Sequence, residues 1–299
     1  MMQKKAFVLL SGGLDSTTCL YQAAEDFYPP GNLPEQSFEE YITDGYEGTK
    51  LHTTWIEAVS IFYGQRHKKE LEFAKKSCAF LGCNHTILDI GNLLRGEGIL
   101  LSEDSVGKME MVHTSYDKIE GVSPSYVPFR NGLLLSAITA HAQKYVNAQI
   151  KEREAQFIAD GFGATSAKLW ANDEAKDLVT IYYGAHAEDA ANWAYPDCTP
   201  EFNGSMANAI YTGSYNTIRL ATPLQWSKKH EIVLRGKGLG VDFADTWSCY
   251  DNGEYHCGEC PTCIARREAF SKAGVSDPTS YKSDIEHTRH ILDNGGISF

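Results

Sequence analysis

The stretch Leu10-Ser11-Gly12-Gly13-Leu14-Asp15-Ser16-Thr17-Thr18 decides the fold of this 299-residue chain. An uncharged apolar run over 6–10 precedes it, and good helix formers over 16–25 follow it. This order predicts a buried parallel strand, a tight turn and a helix. Two glycines let the turn be sharp and let its amides approach a ligand, and the helix N-terminus adds unpaired N–H groups. The stretch therefore predicts an anion-binding loop.

Two common phosphate-binding motifs are excluded at this loop. No Gly-Lys-Ser/Thr follows it, as a Walker A motif requires, and the third glycine of a Rossmann fingerprint is absent. A plain glycine turn, with Asp15 or Ser16 capping the helix, is an alternative interpretation. The stretch resembles the Ser-Gly-Gly-x-Asp-Ser loop of the PP-loop ATP pyrophosphatases, which transfer AMP to an oxygen and release pyrophosphate. This resemblance implies ATP binding by Leu10, Ser11, Gly12, Gly13, Leu14, Asp15, Ser16, Thr17, Thr18, Cys19 and Leu20.

The bulk composition narrows the class of protein. With 42% apolar and 22% charged residues, the chain is expected to be globular, forming one large domain with additions or two domains. No apolar run is long enough to span a membrane and no signal peptide is recognised, so a cytoplasmic location without membrane association is expected. The net charge of −12 argues against a broad basic groove for nucleic acid.

Periodicity predicts an alternation of strands and helices. Strands are predicted over 57–62, 85–90, 178–183 and, at a sheet edge, 219–224. Helices are predicted over 68–81 and 132–145, from Thr199 onward, and over 228–235 with Ser227 as its cap. Three strand–helix units in the first ninety residues predict a doubly wound parallel α/β sheet. Ligands of such sheets bind beyond the carboxyl ends of the strands, where 11–16 and 63–66 fall.

The remaining segments predict the domain organisation. Residues 27–53 and 147–177 are polar and lack a sustained period, so both are interpreted as surface insertions, and 91–126 is expected to be irregular. An ATP-binding domain is predicted over 1–240, followed by a cysteine-rich region and tail over 241–299.

Four of the eight cysteines lie within fifteen residues: Cys249, Cys257, Cys260 and Cys263. In a reducing compartment such clustering predicts metal ligation rather than disulfides. Four thiolates suit a closed tetrahedral zinc site with a structural role. An iron–sulfur cluster is the alternative, although the Cys-Pro of ferredoxins is absent. His256 is a possible substitute ligand.

Several further motifs, in order along most of the chain, resemble those of the 7-cyano-7-deazaguanine synthases, a PP-loop family. They are Phe62-Tyr63-Gly64-Gln65-Arg66-His67, Val127-Pro128-Phe129-Arg130-Asn131, Tyr195-Pro196-Asp197-Cys198 with Glu201-Phe202, Pro223-Leu224-x-Trp226, and the four cysteines. The two insertions, Ala185 and a longer C-terminal tail depart from the family pattern.

The resemblance implies ATP-dependent conversion of 7-carboxy-7-deazaguanine and ammonia to the nitrile, through an adenylated carboxylate and then an adenylated amide. It implies ATP and Mg²⁺ at the loop, with Asp15, Ser16 and Arg130 as catalytic residues, and structural Zn²⁺ at the cysteines. Substrate binding is assigned by residue type to Tyr63, Gln65, Arg66, Arg130, Asn131, Glu188, Asp189, Tyr195 and Asp197. A homodimer that does not bind nucleic acid is expected.

Other functions stay open at this point. Another PP-loop enzyme shares the first loop, but a tRNA thiolase needs a cysteine pair near ATP and a basic face, and a glutamine-fed enzyme needs a glutaminase region. A zinc-ribbon adaptor without catalytic activity would not need an intact loop. The sequence also leaves open whether the reaction stops at the amide, and whether its product serves tRNA or DNA modification.

Overall fold

The computed structural model describes residues 2–28, 37–48, 51–64, 69–91, 121–123, 125–251 and 253–285. Within them, five strands form one sheet in the order β3-β2-β1-β4-β5, and every neighbouring pair is parallel. The strands are β1 Lys5–Leu9, β2 Ile56–Phe62, β3 Asn84–Asp89, β4 Val179–Tyr182 and β5 Ile218–Ala221. The predicted parallel α/β sheet is thus confirmed.

Helices connect the strands and cover both faces of the sheet. In the described residues they are α1 Leu14–Asp26, α2 Phe38–Tyr46, α3 Lys69–Leu81, α4 Arg130–Ala159, α5 Ala164–Glu174, α6 Ala187–Ala190, α7 Pro200–Gly213, α8 Lys229–Gly238 and α9 Pro261–Ala273. None of these helices combines the length and the apolar character that crossing a membrane requires.

Strand β1 lies at the centre and contributes to two cores. Ala6 and Val8 pack with residues of α1, α2, α3 and α8 on one face, and Phe7 and Leu9 pack with residues of α4 and α7 on the other. Successive side chains of a strand point to opposite faces, so a strand buried on both faces must be apolar throughout. This requirement explains the unbroken apolar run that precedes the loop.

The interpretation of 27–53 as a surface insertion needs correction in its described part. Ser37 and Glu40 form a capping box that starts α2, and Phe38, Tyr41 and Ile42 are buried in the core beside α1. Their spacing of three and four residues places them on one helical face. The apolar face of this short helix therefore makes the described part of the segment belong to the core.

The segment 147–177 is also regular. Helix α4 runs for 30 residues, about 45 Å at 1.5 Å per residue, and α5 packs back along it. Ala167 and Ala171 of α5 are buried. Their small side chains let the two helices approach each other closely. At α8 the predicted cap is displaced by one residue: Lys228, not Ser227, occupies the N-cap, and the helix starts at Lys229.

Helix α9 carries the last cysteine and packs against α8. Its Ala269 and Phe270 belong to the same core as α1. The division at residue 240 stays a prediction, and α9 shares buried contacts with the first part of the chain.

Candidate active site and metal centre

A cavity of about 270 Å³ opens at the carboxyl ends of β1, β2 and β4. Strand β2 pairs with one edge of β1, and β4 pairs with the other edge, so the strand order reverses direction at β1. Ligands of doubly wound sheets bind at such a reversal. The lining residues are Leu9, Leu10, Ser11, Gly13, Asp15, Ser16, Ile61, Tyr63, Glu70, Leu71, Ser125, Arg130, Asn131, Leu134, Tyr183, Gly184, Ala185, Asp189, Tyr195, Cys198, Lys229, Tyr250 and Thr262.

Residues 11–16 form a tight loop into the first turn of α1. Ser16 Oγ accepts a hydrogen bond from the Ser11 backbone N–H at 3.2 Å and lies 2.9 Å from Ser11 Oγ. Gly12 has φ of +93°, a conformation that side chains rarely adopt, and a Cβ there would lie 2.1 Å from the Glu70 carbonyl oxygen. The loop therefore requires glycine at this position for both reasons.

The ATP-binding residues implied by the resemblance divide between two environments. Leu10, Ser11, Gly13, Asp15 and Ser16 line the cavity. The side chains of Leu14, Thr17, Thr18, Cys19 and Leu20 are buried instead, because 3.6 residues per turn rotate most of a helix away from any one ligand. Only the first turn of α1 therefore faces the cavity.

The carboxylate of Asp15 is paired across the cavity with a lysine that the sequence analysis missed. Lys229 Nζ, at the start of α8, lies 3.1 Å from Asp15 Oδ2, and its side chain is 9% exposed. Burial raises the pKa of the Asp15 carboxyl, but Lys229 and His186 outweigh it and hold that pKa below its usual range. Asp15 is therefore ionised at neutral pH.

His186 lies next to this ion pair. Its ring is 1% exposed, and its Nε2 lies 3.2 Å from Asp189 Oδ2 and 3.7 Å from Asp15 Oδ2, without forming a hydrogen bond to either within the described residues. Asp15 Oδ1 is likewise buried without a hydrogen-bond partner in the described part of the chain. A carboxylate oxygen of this kind is a suitable ligand for a cation.

A second charged group lies on the other side of the loop. Arg130 begins α4, and its guanidinium lies 5.9 Å from the centre of the Tyr63 ring. Phe129, before it, has φ of +56° and turns the chain into the helix. Glu70, on α3, faces the same cavity, and burial raises its pKa to about 7 although Arg130 opposes the shift.

The remaining predicted substrate residues take different positions. Tyr195 lines the cavity and its hydroxyl lies 2.5 Å from Ser125 Oγ. Asn131 also lines the cavity, whereas Asp197 lies below it and accepts the Asn131 backbone N–H at 2.9 Å. Burial raises the pKa of the Asp197 carboxyl.

Glu188 and Asp189 are separated by the structure. Asp189 lines the cavity, while Glu188 Oε1 accepts the backbone N–H of Lys229 at 3.2 Å and so caps α8. Gln65 and Arg66 lie outside the described residues. The structure therefore brings five of the nine predicted substrate-binding residues to the cavity, opposite Asp15 of the loop: Tyr63, Arg130, Asn131, Asp189 and Tyr195.

The four clustered cysteines meet as predicted. Their sulfurs all lie within 4.8 Å of one another, with 3.9 Å between Cys257 and Cys263 and 4.0 Å between Cys249 and Cys260. Backbone N–H groups of Asp251 and Cys257 donate to Cys249 Sγ at 3.3 Å. Such donors stabilise thiolates, so the cluster is able to hold a metal ion.

Two residues next to the cluster support it without belonging to it. His256 Nε2 accepts the Ser248 backbone N–H at 3.0 Å and its ring packs on Trp247. Arg266 is fully buried, donates to Thr246 Oγ1 at 2.7 Å and pairs with Asp277 at 3.2 Å. These contacts fix the segment that carries Cys249 against helix α9.

The comparison with known families identifies the chain. A family profile described as "Queuosine biosynthesis protein QueC" matches residues 49–155 and 164–274, more than half of the chain. The chain belongs to the QueC family. A second profile, described as asparagine synthase, matches residues 1–93, which include β1, the loop and α1.

Relatives at substantial identity support the QueC assignment. The chain is 36% identical over 282 residues to the 7-cyano-7-deazaguanine synthase of Caldicellulosiruptor bescii, covering 94% of this chain and 99% of that protein. It is 32% identical over 279 residues to the synthase of Methanoregula boonei, covering 93% and 99%. The resemblance drawn from the motifs is thus confirmed.

A solved structure, the U34-tRNA thiolase NcsA from Methanococcus maripaludis with its [4Fe-4S] cluster, aligns with a TM-score of 0.37 at 16% identity. The alignment covers all of this chain and 75% of that one. A likeness this low does not extend the thiolase's activity or its cluster to this QueC protein.

Proposed function

We propose that this protein makes 7-cyano-7-deazaguanine from 7-carboxy-7-deazaguanine, ammonia and ATP. QueC family membership gives the reaction class, and its relatives carry the name of this synthase. The observation that carries the proposal is one cavity in which the 11–16 loop and Arg130 meet. A phosphate-binding loop and a cation for a carboxylate are the two parts that activation of an acid by ATP requires.

The phosphate end of ATP is assigned to the 11–16 loop. Its glycine amides, the first turn of α1 and the Ser11 and Ser16 hydroxyls provide hydrogen-bond donors around one point. Lys229 adds a full positive charge at the edge of this loop. These groups stabilise the negative charge that accumulates on pyrophosphate as the bond between the α and β phosphates breaks.

Magnesium binding is assigned to the Asp15 carboxylate. Its Oδ1, which has no hydrogen-bond partner in the described part of the chain, fits a hard cation that prefers oxygen ligands. When bound with ATP, the ion would neutralise phosphate charge at this point. The residue itself stays ionised at neutral pH because of Lys229, so it is in the state that such a ligand requires.

The deazaguanine end is assigned to the opposite wall. Arg130, whose Nε has no hydrogen-bond partner among the described residues, provides a planar donor for the substrate carboxylate. Asp189 is placed to accept ring N–H groups, and the Tyr195 ring provides an aromatic surface. Arg130 thereby directs the carboxylate toward the loop.

The chemistry follows from the poor reactivity of a carboxylate. Its oxygen leaves badly, and transfer of AMP to that oxygen makes it a phosphate ester that ammonia is able to displace, giving the amide. A second transfer to the amide oxygen lets AMP leave again with formation of the nitrile. Both transfers depend on positioning and charge neutralisation by the loop, Lys229 and Arg130.

The metal of the cysteine cluster is proposed to be zinc. A tetrahedral ion with Zn–S bonds of about 2.3 Å places its sulfurs about 3.8 Å apart. Two sulfur pairs of the cluster lie at 3.9 and 4.0 Å, and all four sulfurs lie within 4.8 Å of one another. An iron–sulfur cluster between the same cysteines would separate the sulfurs further. Cys249, Cys257, Cys260 and Cys263 fill the coordination shell, so a structural role is proposed.

The surroundings of the enzyme are proposed on chemical grounds. A reducing compartment such as the cytoplasm suits four thiolate ligands. The net charge of −12 disfavours direct binding of nucleic acid, so the small molecule is taken as the substrate. A homodimer is proposed from the family resemblance.

The experiment that tests the proposal is chromatography of the nucleotide products. With ATP, ammonia and 7-carboxy-7-deazaguanine, AMP and pyrophosphate should form, and they should form only when the acid is present. Accumulation of ADP and phosphate instead would indicate a carboxyl phosphate and overturn the adenylation mechanism. Mass spectrometry of the organic product tests separately whether the reaction reaches the nitrile or stops at the amide.

A further inference from the structure

Glu70 lies in the first turn of α3, and its side chain forms part of the cavity wall. The close approach of Gly12 to the Glu70 carbonyl oxygen fixes this turn against the 11–16 loop. On its other side, Glu70 interacts electrostatically with Arg130 and Tyr63. Glu70 therefore lines the same cavity as the loop assigned to phosphate and the arginine assigned to the substrate acid.

The charged surroundings of Glu70 come from several elements. Arg130 of α4 is its main opposing charge, and Tyr63 after β2 is next to Arg130. Lys69, its neighbour on α3, is turned away, because its Nζ donates to the carbonyls of Gly253 and Glu254. Among the described residues, the other titratable side chains of the cavity wall are Asp15, Tyr183, Asp189, Tyr195, Cys198, Lys229 and Tyr250.

Displacement of AMP by ammonia releases a proton. As the C–N bond forms, the bond from carbon to the phosphate oxygen breaks and its electron pair leaves with AMP. The ammonia nitrogen must then lose a proton to become the neutral amide. Lys229 and Arg130 are cations and do not accept it, while Asp15 is paired with Lys229 and Asp189 lies beside His186. Among the described carboxylates of the cavity wall, Glu70 is the one that has no lysine, arginine or histidine nitrogen of the described residues at ion-pair distance.

We propose that Glu70 binds the incoming ammonia and accepts the proton that its nitrogen releases. This inference rests on the proposed function. In the second half of the reaction, transfer of AMP to the amide oxygen releases one of the two N–H protons to water and leaves an imidate with a single N–H. The same carboxylate takes that remaining proton, so that the electrons of the N–H bond form the third C–N bond as AMP leaves. Between the two steps Glu70 returns its proton to water.

The affinity of Glu70 for protons fits this role. Burial raises its pKa to about 7, so near neutral pH it exists both as carboxylate and as acid. A general base works best when its pKa lies near the working pH. An ordinary exposed glutamate would be a much weaker base.

The test compares Glu70→Gln with wild type in two half-reactions. Amide or nitrile formation from ammonia should fall about 100-fold or more. Exchange of labelled pyrophosphate into ATP, dependent on the deazaguanine acid, should be unchanged, because adenylation of a carboxylate needs no base. Glu72→Gln, which removes an exposed carboxylate from the same helix, is the matched control and should leave both rates unchanged.

Two further measurements sharpen the test. The wild-type kcat should decrease as the pH falls below about 7, and the Gln variant should lack this decrease. The nitrogen of hydroxylamine is less basic than that of ammonia, so its adduct loses a proton to water more readily. Replacing ammonia by hydroxylamine should therefore recover much of the lost rate. Glu70→Asp should retain part of the ammonia-dependent activity.

Three results would overturn the inference. One is a Glu70→Gln enzyme that uses ammonia at the wild-type rate. Another is a Glu70→Gln enzyme that has lost pyrophosphate exchange or that needs more Mg²⁺ for it. Either result would make Glu70 a ligand of the metal or a part of the loop's structure. Absence of exchange in the wild-type enzyme would instead overturn the proposed function, and this inference with it.

Discussion

The backbone N–H of Trp247 donates a hydrogen bond of 2.9 Å to the carbonyl oxygen of Gly12. The two residues belong to the segment that leads into the cysteine cluster and to the loop at the cavity. Trp247 is 3% exposed, and its indole N–H donates to the carbonyl of Cys249 at 2.9 Å. Trp247 thus connects the cysteine cluster to the loop.

Loss of the metal should therefore loosen the loop as well as the cluster. We expect Cys260→Ser to lose the bound metal, to lower the midpoint of urea unfolding, and to speed hydrogen exchange at the amides of 11–16. Elemental analysis and exchange mass spectrometry measure these effects. Cys83→Ser, outside the cluster, is the control and should keep the metal. Unchanged exchange at 11–16 after metal loss would show that the loop is stabilised independently.

Replacement of Gly12 should disturb the loop by a steric effect. In Gly12→Ala the new Cβ would meet the Glu70 carbonyl, and φ of +93° adds backbone strain of about 1–3 kcal/mol. We expect a lower free energy of unfolding and a large loss of ATP affinity, measured by denaturation and calorimetry. Gly204→Ala is the control, because open space surrounds that position within α7, and it should stabilise by about 0.5–1 kcal/mol.

The Asp15–Lys229 pair should show energetic coupling. Lys229→Met leaves Asp15 without its nearest cation, and Asp15→Asn leaves the buried lysine without its partner. We expect each single variant to be destabilised, and the double variant to be less destabilised than the sum by about 0.5–3 kcal/mol. Urea unfolding of the four proteins completes the cycle. Simple additivity would mean that the contact contributes nothing to stability.

The ionisation of a carboxylate outside the cavity should determine part of the free energy of unfolding at acidic pH. Glu57 on β2 pairs with Lys5 at 3.0 Å and lies 2.7 Å from His141 Nε2. Burial raises the pKa of Glu57, but the hydrogen bonds with His141 and Lys5 outweigh it, and the net pKa is lowered.

The sign of this effect follows from linkage. With the folded pKa below the ordinary value of 4.5, the stabilisation is complete above that value and is lost as the pH falls through the folded pKa. We expect Glu57→Gln to be less stable at pH 7 and to lose less stability than wild type on acidification below pH 4.5. Unfolding curves across this range measure the difference. Parallel curves for the two proteins would contradict the assignment.

The sequence predicts those features that depend on neighbouring residues. The apolar run, two glycines and a helix start lie within fifteen residues, so β1, the loop and α1 follow from local pattern. The cysteine cluster follows equally from spacing. The apolar face of α2 carries a recognisable helical spacing and a capping box, but it is only nine residues long and lies among polar residues.

Residues that depend on tertiary packing are not predicted. Lys229 meets Asp15 from 214 positions away, and no local pattern joins them. In the sequence Glu70 is one charged residue among several on a helix, and only its position in the cavity wall distinguishes it. Glu188 and Asp189 look alike, yet the start of α8 draws the first away from the cavity. The direction in which a side chain points at the end of a strand depends on the helices and strands that pack against that end, so the local sequence does not predict it.

The central position of β1 also has a consequence for the newly made chain. One edge of β1 pairs with β2 soon after synthesis, but the other waits for β4, about 120 residues further on. At translation rates of about 5–20 residues per second, this delay is roughly 6 to 24 s. During that interval the nascent chain presents an edge of unpaired N–H and C=O groups on which another strand is able to pair. The emergence of the four-residue strand β4 from the ribosome ends this period of exposure.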